Sequence, residues 1–270
     1  MKFIDHNSPE KAIINNAFNS LSYMDMWISS IVEGYIYEKV DKITYNGGRE
    51  EYVERYGNIE GEAKNWHRNG QLWIQKYYKD GKEEGEYKVW YCEDEKVSSE
   101  PSDSREERQL HIQCYYKDGI KEGECKCWYP NGQLMSQKYF KEGKIDGEYK
   151  EWYQGENGQS IGQLKIQSYF REGKEEGEYK YYWFRGENGQ RDNSQLWRQC
   201  YYKEGKLEGE YKQWYRGADG QGENGQLKYQ CYHKEGKYEG EFKRWDEDGS
   251  LSEYKIYRGG EVIQDLLSGE

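Results

Sequence analysis

The chain has 270 residues, a formal net charge of −11, and charged side chains at 34% of its positions. Nucleic acid and anionic lipid both attract positively charged surfaces, so this acidic balance disfavours both as partners. The scarcity of aliphatic residues would favour disorder, but 29 Tyr, 10 Trp and 6 Phe supply large rings that suit the half-buried surface of a β-sheet.

Membrane insertion and secretion are not expected from this sequence. No apolar run approaches the ~18 residues of a transmembrane helix. The first residues, Met-Lys-Phe-Ile-Asp-His, lack the apolar core of a signal peptide. We therefore expect a soluble, intracellular protein that is not secreted, and the acidic balance disfavours a membrane partner.

The N-terminal segment, residues 1–45, is predicted to cap the sheet or to dock on a partner. Ser8 is a suitable N-cap and Pro9 suits the first helical position, which predicts a short helix within residues 1–22. Its apolar face comprises Ile13, Ile14, Ala17, Phe18 and Leu21. Residues 23–60 are predicted to be a decayed repeat, since terminal repeats are often atypical.

Residues 46–257 contain a repeated phrase. Gly-Glu occurs at 61, 85, 123, 147, 177, 209 and 240, and Lys stands two residues after each Glu. Five residues after the Gly stands Trp, or Tyr182 in the fifth copy. A Leu precedes the Gly by a constant 13 residues in the copies from Leu72 onward. This regularity predicts a repeat protein.

Every change in repeat length falls at one turn, between the Trp position and the following Leu, where the spacing varies from 6 to 20 residues. The longest insert spans residues 92–108, and three others contain Gly-Glu-Asn-Gly-Gln at 155–159, 186–190 and 222–226. The three inserts that share this phrase are interpreted either as duplicated tolerated loops or as ligand-binding loops.

The turns predict antiparallel hairpins. Asn69-Gly70, Asn131-Gly132 and Asp248-Gly249 favour two-residue type I′ turns, which would place Tyr129 opposite Leu134. The other turn, for example Lys79 to Gly85, contains two glycines and predicts a longer, bulged reversal.

We therefore predict an all-β fold: an elongated, single-layer antiparallel β-meander of tandem hairpins, with a short N-terminal helix. One face would collect the repeated Leu and the aromatic residue six positions after it. The other would collect the Trp, the Gly-Glu glutamates, the lysines, the Gln three after each Leu and the Tyr five after it. Residues 258–270 form a C-terminal tail that closes the final edge or docks elsewhere.

Six cysteines are too few for a disulfide scaffold. Cys114, Cys200 and Cys231 share one repeat position, and equivalent strands of neighbouring repeats lie ~9.6 Å apart, beyond disulfide reach. Cys125-X-Cys127 lacks a second pair at zinc spacing. We expect free thiols, no metal site and no cofactor.

The phrases Asn-Gly-Gln-Leu, Tyr-Tyr-Lys-Asp-Gly-Lys and Gly-Glu-Tyr-Lys-X-Trp-Tyr resemble the MORN repeat over roughly residues 46 to 260. They are similar to the variant in bacterial MORN-like antitoxins and in MORN proteins of giant DNA viruses such as the marseilleviruses. The resemblance implies an elongated β-hairpin array. It also implies no catalysis, since MORN enzymes carry it in appended domains that are not recognisable here. The Lys, Glu, Tyr and Asn content and the expanded turns look more like the viral proteins.

No catalytic residues are expected, because the four histidines at 6, 67, 111 and 233 are scattered and no phosphate loop leads from a strand into a helix. We expect a non-enzymatic structural protein that binds proteins, either capsid proteins as a giant-virus virion component or copies of itself. Its location would be the host cytoplasm or the virion. The alternatives are an antitoxin-like inhibitor of one toxin and a peripheral membrane protein. The predicted protein-binding face comprises Trp66, Trp90, Trp128, Trp152, Trp214, Trp245, Tyr139, Tyr169 and Tyr201.

Overall fold

The computed structural model describes residues 37–44, 47–92, 109–155, 162–183, 195–217 and 225–267. These residues contain twenty β-strands and no helix. The predicted N-terminal helix lies outside them, as do residues 93–108 and 186–190 of the inserts. The strands are β1 Tyr37–Ile43, β2 Arg49–Arg55, β3 Asn58–Trp66, β4 Leu72–Lys79, β5 Lys82–Glu83, β6 Gly85–Trp90, β7 Leu110–Lys117, β8 Ile120–Lys121, β9 Gly123–Trp128, β10 Leu134–Lys141, β11 Lys144–Trp152, β12 Leu164–Arg171, β13 Lys174–Glu175, β14 Gly177–Tyr182, β15 Leu196–Lys203, β16 Lys206–Trp214, β17 Leu227–Lys234, β18 Lys237–Trp245, β19 Leu251–Arg258 and β20 Glu261–Asp265.

The chain divides into two compact units, residues 1–108 with 115–120, and residues 109–114 with 121–270. In the first unit, β1, β2, β3, β4 and β6 pair antiparallel in sequence order. In the second, the N-terminal part of β7 pairs with β9, and antiparallel neighbours continue to β20. The prediction of an open antiparallel meander of hairpins is confirmed within each unit.

The two-residue type I′ turn lies at the Asp/Glu-Gly step of each repeat. Lys141 pairs with Lys144 across Glu142 and Gly143, whose φ angles are 51° and 77°. Positive φ at both central residues defines this turn type. Seven further two-residue turns have positive φ at both residues, beginning at Tyr56, Asp80, Asp118, Glu172, Glu204, Glu235 and Gly259. The second glycine of the phrase, such as Gly147, lies at a bulge, as predicted. The prediction of a longer reversal at this turn is wrong, because Lys79 pairs with Lys82 across only two residues.

The Asn-Gly turns are different, and the prediction of type I′ turns there is wrong. Gly132 N–H donates to the Tyr129 carbonyl at 2.9 Å, and Tyr129 N–H donates to the Gln133 carbonyl at 2.8 Å. The loop therefore has three residues, with positive φ only at Gly132. Asn131 Oδ1 accepts the Gln133 N–H at 3.2 Å, and Pro130 suits the second position of a type I turn. As a result Leu134 pairs with Trp128 and not with Tyr129.

The long inserts leave the hairpin closure unchanged. Tyr153 N–H donates to the Gln163 carbonyl, and Tyr215 N–H donates to the Gln226 carbonyl, both at 2.8 Å, as Tyr129 does across its short turn. The preceding hairpin also holds the insert stem, because Gly155 N–H donates to the buried Gln133 side chain at 2.7 Å. Variable length is therefore confined to the turn, as the repeat spacing predicts.

Consecutive hairpins are also tied through the Tyr that follows the Trp position. The Tyr129 hydroxyl donates to the Trp152 carbonyl at 2.8 Å, and the Tyr153 hydroxyl donates to the Tyr182 carbonyl at 2.9 Å. The bond recurs from Tyr215 to the Trp245 carbonyl at 3.2 Å. These bonds explain why an aromatic residue with a hydroxyl group recurs at this position.

The most deeply buried side chains of the sheet are small. Cys200 and Cys231 are 0% and 2% exposed, and Ser168, at the same repeat position, is 4% exposed. Tyr179 lies directly opposite Cys200, and its ring contacts that of Tyr202 at 5.9 Å. Rings of the same face thus lie beside a stripe of small side chains, which is how a single-layer sheet buries surface without a second layer.

The prediction that all cysteines are free is wrong for one pair. Cys114 and Cys125 form a disulfide, with their Cα atoms 4.2 Å apart. The register of β7 and β9 places them directly opposite, since Ile112 pairs with Cys127 and Gln113 with Lys126. The prediction compared equivalent strands of neighbouring repeats and overlooked the adjacent strand. Cys92, Cys127, Cys200 and Cys231 form no disulfide.

Candidate protein-binding face

A cluster of four polar and aromatic side chains lies on one face of each hairpin. In the β9–β10 hairpin, Glu124 pairs with Tyr139 and Lys126 with Gln137. The Tyr139 hydroxyl donates to Glu124 at 3.1 Å, Lys126 Nζ lies 2.7 Å from the same carboxylate, and Gln137 Nε2 also donates to it. The carboxylate therefore holds the tyrosine, the lysine and the glutamine in place.

The cluster repeats along the chain with the same partners. Glu178 binds Lys180 at 2.7 Å, Gln199 at 2.5 Å and the Tyr201 hydroxyl at 3.3 Å. The glutamate also bonds to both a lysine and a glutamine in three further clusters, which are Glu62 with Lys64 and Gln75, Glu148 with Lys150 and Gln167, and Glu210 with Lys212 and Gln230. This is the residue set predicted from strand alternation.

The cluster keeps its carboxylates ionised. The hydrogen bond from Lys126 lowers the pKa of Glu124, and that from Lys150 lowers the pKa of Glu148. A carboxylate that stays charged at neutral pH and is matched by a lysine is suited to fixing side chains, and it is a poor proton donor. The arrangement therefore supports binding and offers no acid–base pair.

The tyrosines of these clusters form an exposed row. In the second unit Tyr139 is 36% exposed, Tyr169 43%, Tyr201 38% and Tyr232 42%. We call these four residues the tyrosine row. Each lies two strands from the next, because β11, β14 and β16 intervene. The rings are exposed to solvent, although the hydroxyls of Tyr139 and Tyr201 are hydrogen-bonded to glutamates of the sheet.

The six predicted tryptophans are half-buried. Alternation along β9 places Glu124, Lys126 and Trp128 on the same side of the strand. Trp128 is four residues beyond Glu124, so in the second unit it lies ~13 Å from the tyrosine row along the strand. We call its equivalents in that unit, together with it, the tryptophan row: Trp128, Trp152, Trp214 and Trp245. In the first unit, Trp66 lies beneath the Arg49 guanidinium, 4.8 Å from its ring centre. The predicted face thus consists of two aromatic rows with glutamine and lysine between them.

Residue selection from sequence was incomplete. Tyr77, Tyr115 and Tyr232 occupy the same repeat position as Tyr139 and are 37%, 44% and 42% exposed. Each stands five residues after its Leu, so the spacing that identified Tyr139 also identifies them. Within the described ranges no group of three or more His, Cys, Asp or Glu could hold a metal ion. The same residues contain no helix long and apolar enough to cross a membrane.

Comparison with known families identifies the repeat. Residues 59–80 and 121–142 match the MORN repeat variant family. Each match begins two residues before a Gly-Glu phrase and covers the two strands that carry one cluster. It ends at the first residue of a type I′ turn, Asp80 or Glu142. No curated protein matches the chain. These two segments of the chain are therefore repeats of the MORN variant type.

Proposed function

We propose that this chain is a non-enzymatic scaffold that binds protein partners through the face formed by the tyrosine and tryptophan rows. The observation that carries the proposal is the tyrosine row, in which four successive rings are each more than a third exposed. Aromatic side chains with a polar tip are favoured at protein interfaces, because the ring contributes apolar area and the tip remains satisfied.

The hydroxyl bonds support a binding role over a purely structural one. Tyr139 and Tyr201 are hydrogen-bonded to Glu124 and Glu178, so little side-chain freedom remains to be lost on binding. A ring needed only for sheet stability would be expected to lie over its neighbours, as the Tyr179 and Tyr202 rings do. The rings of the row instead leave large parts of their surface open to solvent.

The test compares binding with stability for the tryptophan row. Trp152→Ala and Trp214→Ala should weaken capture of a protein partner more than they lower the melting temperature. The matched control is Trp197→Ala, whose ring packs against Tyr181 at 4.9 Å and Trp183 at 5.9 Å. Because this ring stabilises its neighbours, the control should lower the melting temperature more than it weakens partner capture. Equal losses of partner binding and folding in the two test variants would show that the tryptophans only stabilise the sheet.

The most specific form of the proposal is a virion component that contacts capsid proteins or copies of itself, in the host cytoplasm or the particle. The resemblance of the repeats to those of giant-virus MORN proteins supports this form. Mass spectrometry of purified particles tests it, and absence of the chain from the particles would refute it without affecting the general scaffold proposal.

A further inference from the structure

The tyrosine row has a fixed interval that restricts what can bind along it. Each ring is separated from the next by two strand spacings, or ~9.6 Å. The interval is set by backbone hydrogen bonding between β10, β12, β15 and β17 and the strands between them, so it cannot adapt freely to a ligand. A linear partner that contacts successive rings must present equivalent groups at nearly the same interval.

Among extended peptides, one conformation matches this interval. A polyproline II helix has three residues per turn and a rise of ~3.1 Å, so the same side faces the sheet every ~9.3 Å. A β-strand presents the same side every ~6.7 Å, and the residue three positions further along faces away from the sheet. An α-helix presents the same side after ~5.4 Å, or ~10.5 Å for seven residues, and its carbonyls are already used within the helix.

The chemistry beside the rings also fits such a peptide. Proline has no backbone N–H, so a proline-rich segment offers carbonyl acceptors and apolar rings but few donors. Lys126 and Lys180 each bind a neighbouring glutamate and keep about a third of their side chains exposed, 34% and 29%. A lysine ammonium carries three donors, so further N–H groups are available for peptide carbonyls. The glutamates are already occupied as acceptors.

We propose that the tyrosine row binds a proline-rich segment in the polyproline II conformation, with successive turns packing against successive rings. This inference rests on the proposed function and specifies the partner class of the same face. The protein's net charge of −11 further favours a segment flanked by basic residues. Strands in a sheet rotate by about 20–25° relative to each neighbour, so a short peptide that follows two or three rings is the best probe.

The experiment uses the full chain and a synthetic proline peptide of about nine residues, which is three turns. Calorimetric titration should detect binding, and a glycine–serine peptide of equal length should not bind. The double variant Tyr169→Ala/Tyr201→Ala should bind about tenfold more weakly. Replacing both residues with Phe keeps the rings and should restore affinity to within about twofold.

A matched control lies on the opposite face. Tyr238 is 38% exposed, like Tyr201, but it pairs with the buried His233 and so points to the other side of the sheet. Tyr238→Ala should leave proline-peptide affinity unchanged. Melting temperatures of all variants separate loss of binding from loss of folding.

Three results would overturn the inference: no binding of the proline peptide to the wild-type chain, full affinity in the folded double Ala variant, or tighter binding of a helical peptide of equal length. The proposed function is judged separately. If the proline peptide fails while Trp152→Ala and Trp214→Ala still reduce capture of a protein partner, only the inference is lost. If these tryptophan variants also show no specific loss, the scaffold proposal fails as well.

Discussion

The backbone N–H of Glu142 donates a 2.9 Å hydrogen bond to the carboxylate of Glu122 in the preceding hairpin. The next residue, Gly143, donates its N–H to the Lys121 carbonyl at 3.0 Å. Both outward-facing N–H groups of the type I′ turn are thus satisfied by the preceding hairpin. The same carboxylate bond joins Glu60 to Asp80, Glu84 to Asp118, Asp146 to Glu172, Glu176 to Glu204, Glu208 to Glu235 and Glu239 to Gly259.

We predict that Glu122→Ala lowers the free energy of unfolding by about 1 kcal/mol, the usual net value of one intramolecular hydrogen bond, because solvent exposure weakens the added contribution of the charged acceptor. The loss arises because the Glu142 N–H then depends on water alone. Urea unfolding followed by tryptophan fluorescence measures the change.

Glu122→Gln is the matched control, since its side-chain oxygen can still accept the bond. It should retain most of the stability. If Gln and Ala are equally destabilising, the effect comes from the lost negative charge and not from the hydrogen bond to the turn.

The turn assignments predict opposite effects for glycine at two sites. Glu142 has a φ of 51°, which is unfavourable for residues with a Cβ atom, so Glu142→Gly should stabilise the protein by about 0.5–1 kcal/mol. Asn131→Gly should instead destabilise it by a similar amount, because it removes the acceptor of the Gln133 N–H and adds chain entropy. Thermal unfolding of the two variants measures both changes.

A neutral Asn131→Gly variant together with a destabilised Glu142→Gly variant would mean that the two turn types are exchanged, as the dipeptides alone suggest. Glu172→Gly, at the equivalent position of the next repeat with the same φ of 51°, should reproduce the result for Glu142→Gly.

The sequence predicts the hairpin repeat and the composition of each face, because both follow from spacing and strand alternation. Tyr139 and Glu124 are assigned to one face by counting from the Leu and the Gly, and they are hydrogen-bonded. Turn type was harder to predict, because Asn-Gly suits either a two-residue or a three-residue loop. The choice depends on the Asn131 side-chain bond, which spacing does not reveal.

Contacts between neighbouring hairpins were the main feature that sequence reasoning missed. The role of Glu122 requires knowing that its side chain reaches the next turn, and the Cys114–Cys125 disulfide requires the strand register. A signal for the first was available, since an acidic residue precedes each Gly-Glu phrase. Without the register it could not be distinguished from a solvated charge.

Thiol reactivity should separate the six cysteines into three classes. Cys92 is exposed and should react rapidly with a thiol reagent in the native protein. Burial raises the pKa of Cys200 to about 11 and that of Cys231 to about 12, so both remain protonated and unreactive at neutral pH. Unfolding without reductant should expose the four thiols that form no disulfide, and reductant should add Cys114 and Cys125. Six thiols without reductant would contradict the disulfide.

His233 should make the second unit sensitive to acid. It is 9% exposed, Tyr211 and Tyr238 lie 5.7 and 4.6 Å from its ring centre, and burial lowers its pKa below the ordinary 6.5. The folded state therefore binds this proton less readily than the unfolded chain, so the stabilising contribution is present above about pH 6.5 and is lost as the pH falls below it.

The substitution His233→Tyr introduces the residue found at this position in the preceding repeat, and it should flatten the decline in unfolding free energy between about pH 7 and pH 5. The converse variant Tyr202→His should steepen it. Equal acid sensitivity of the wild-type and His233→Tyr proteins would assign the decline to the carboxylates that both contain.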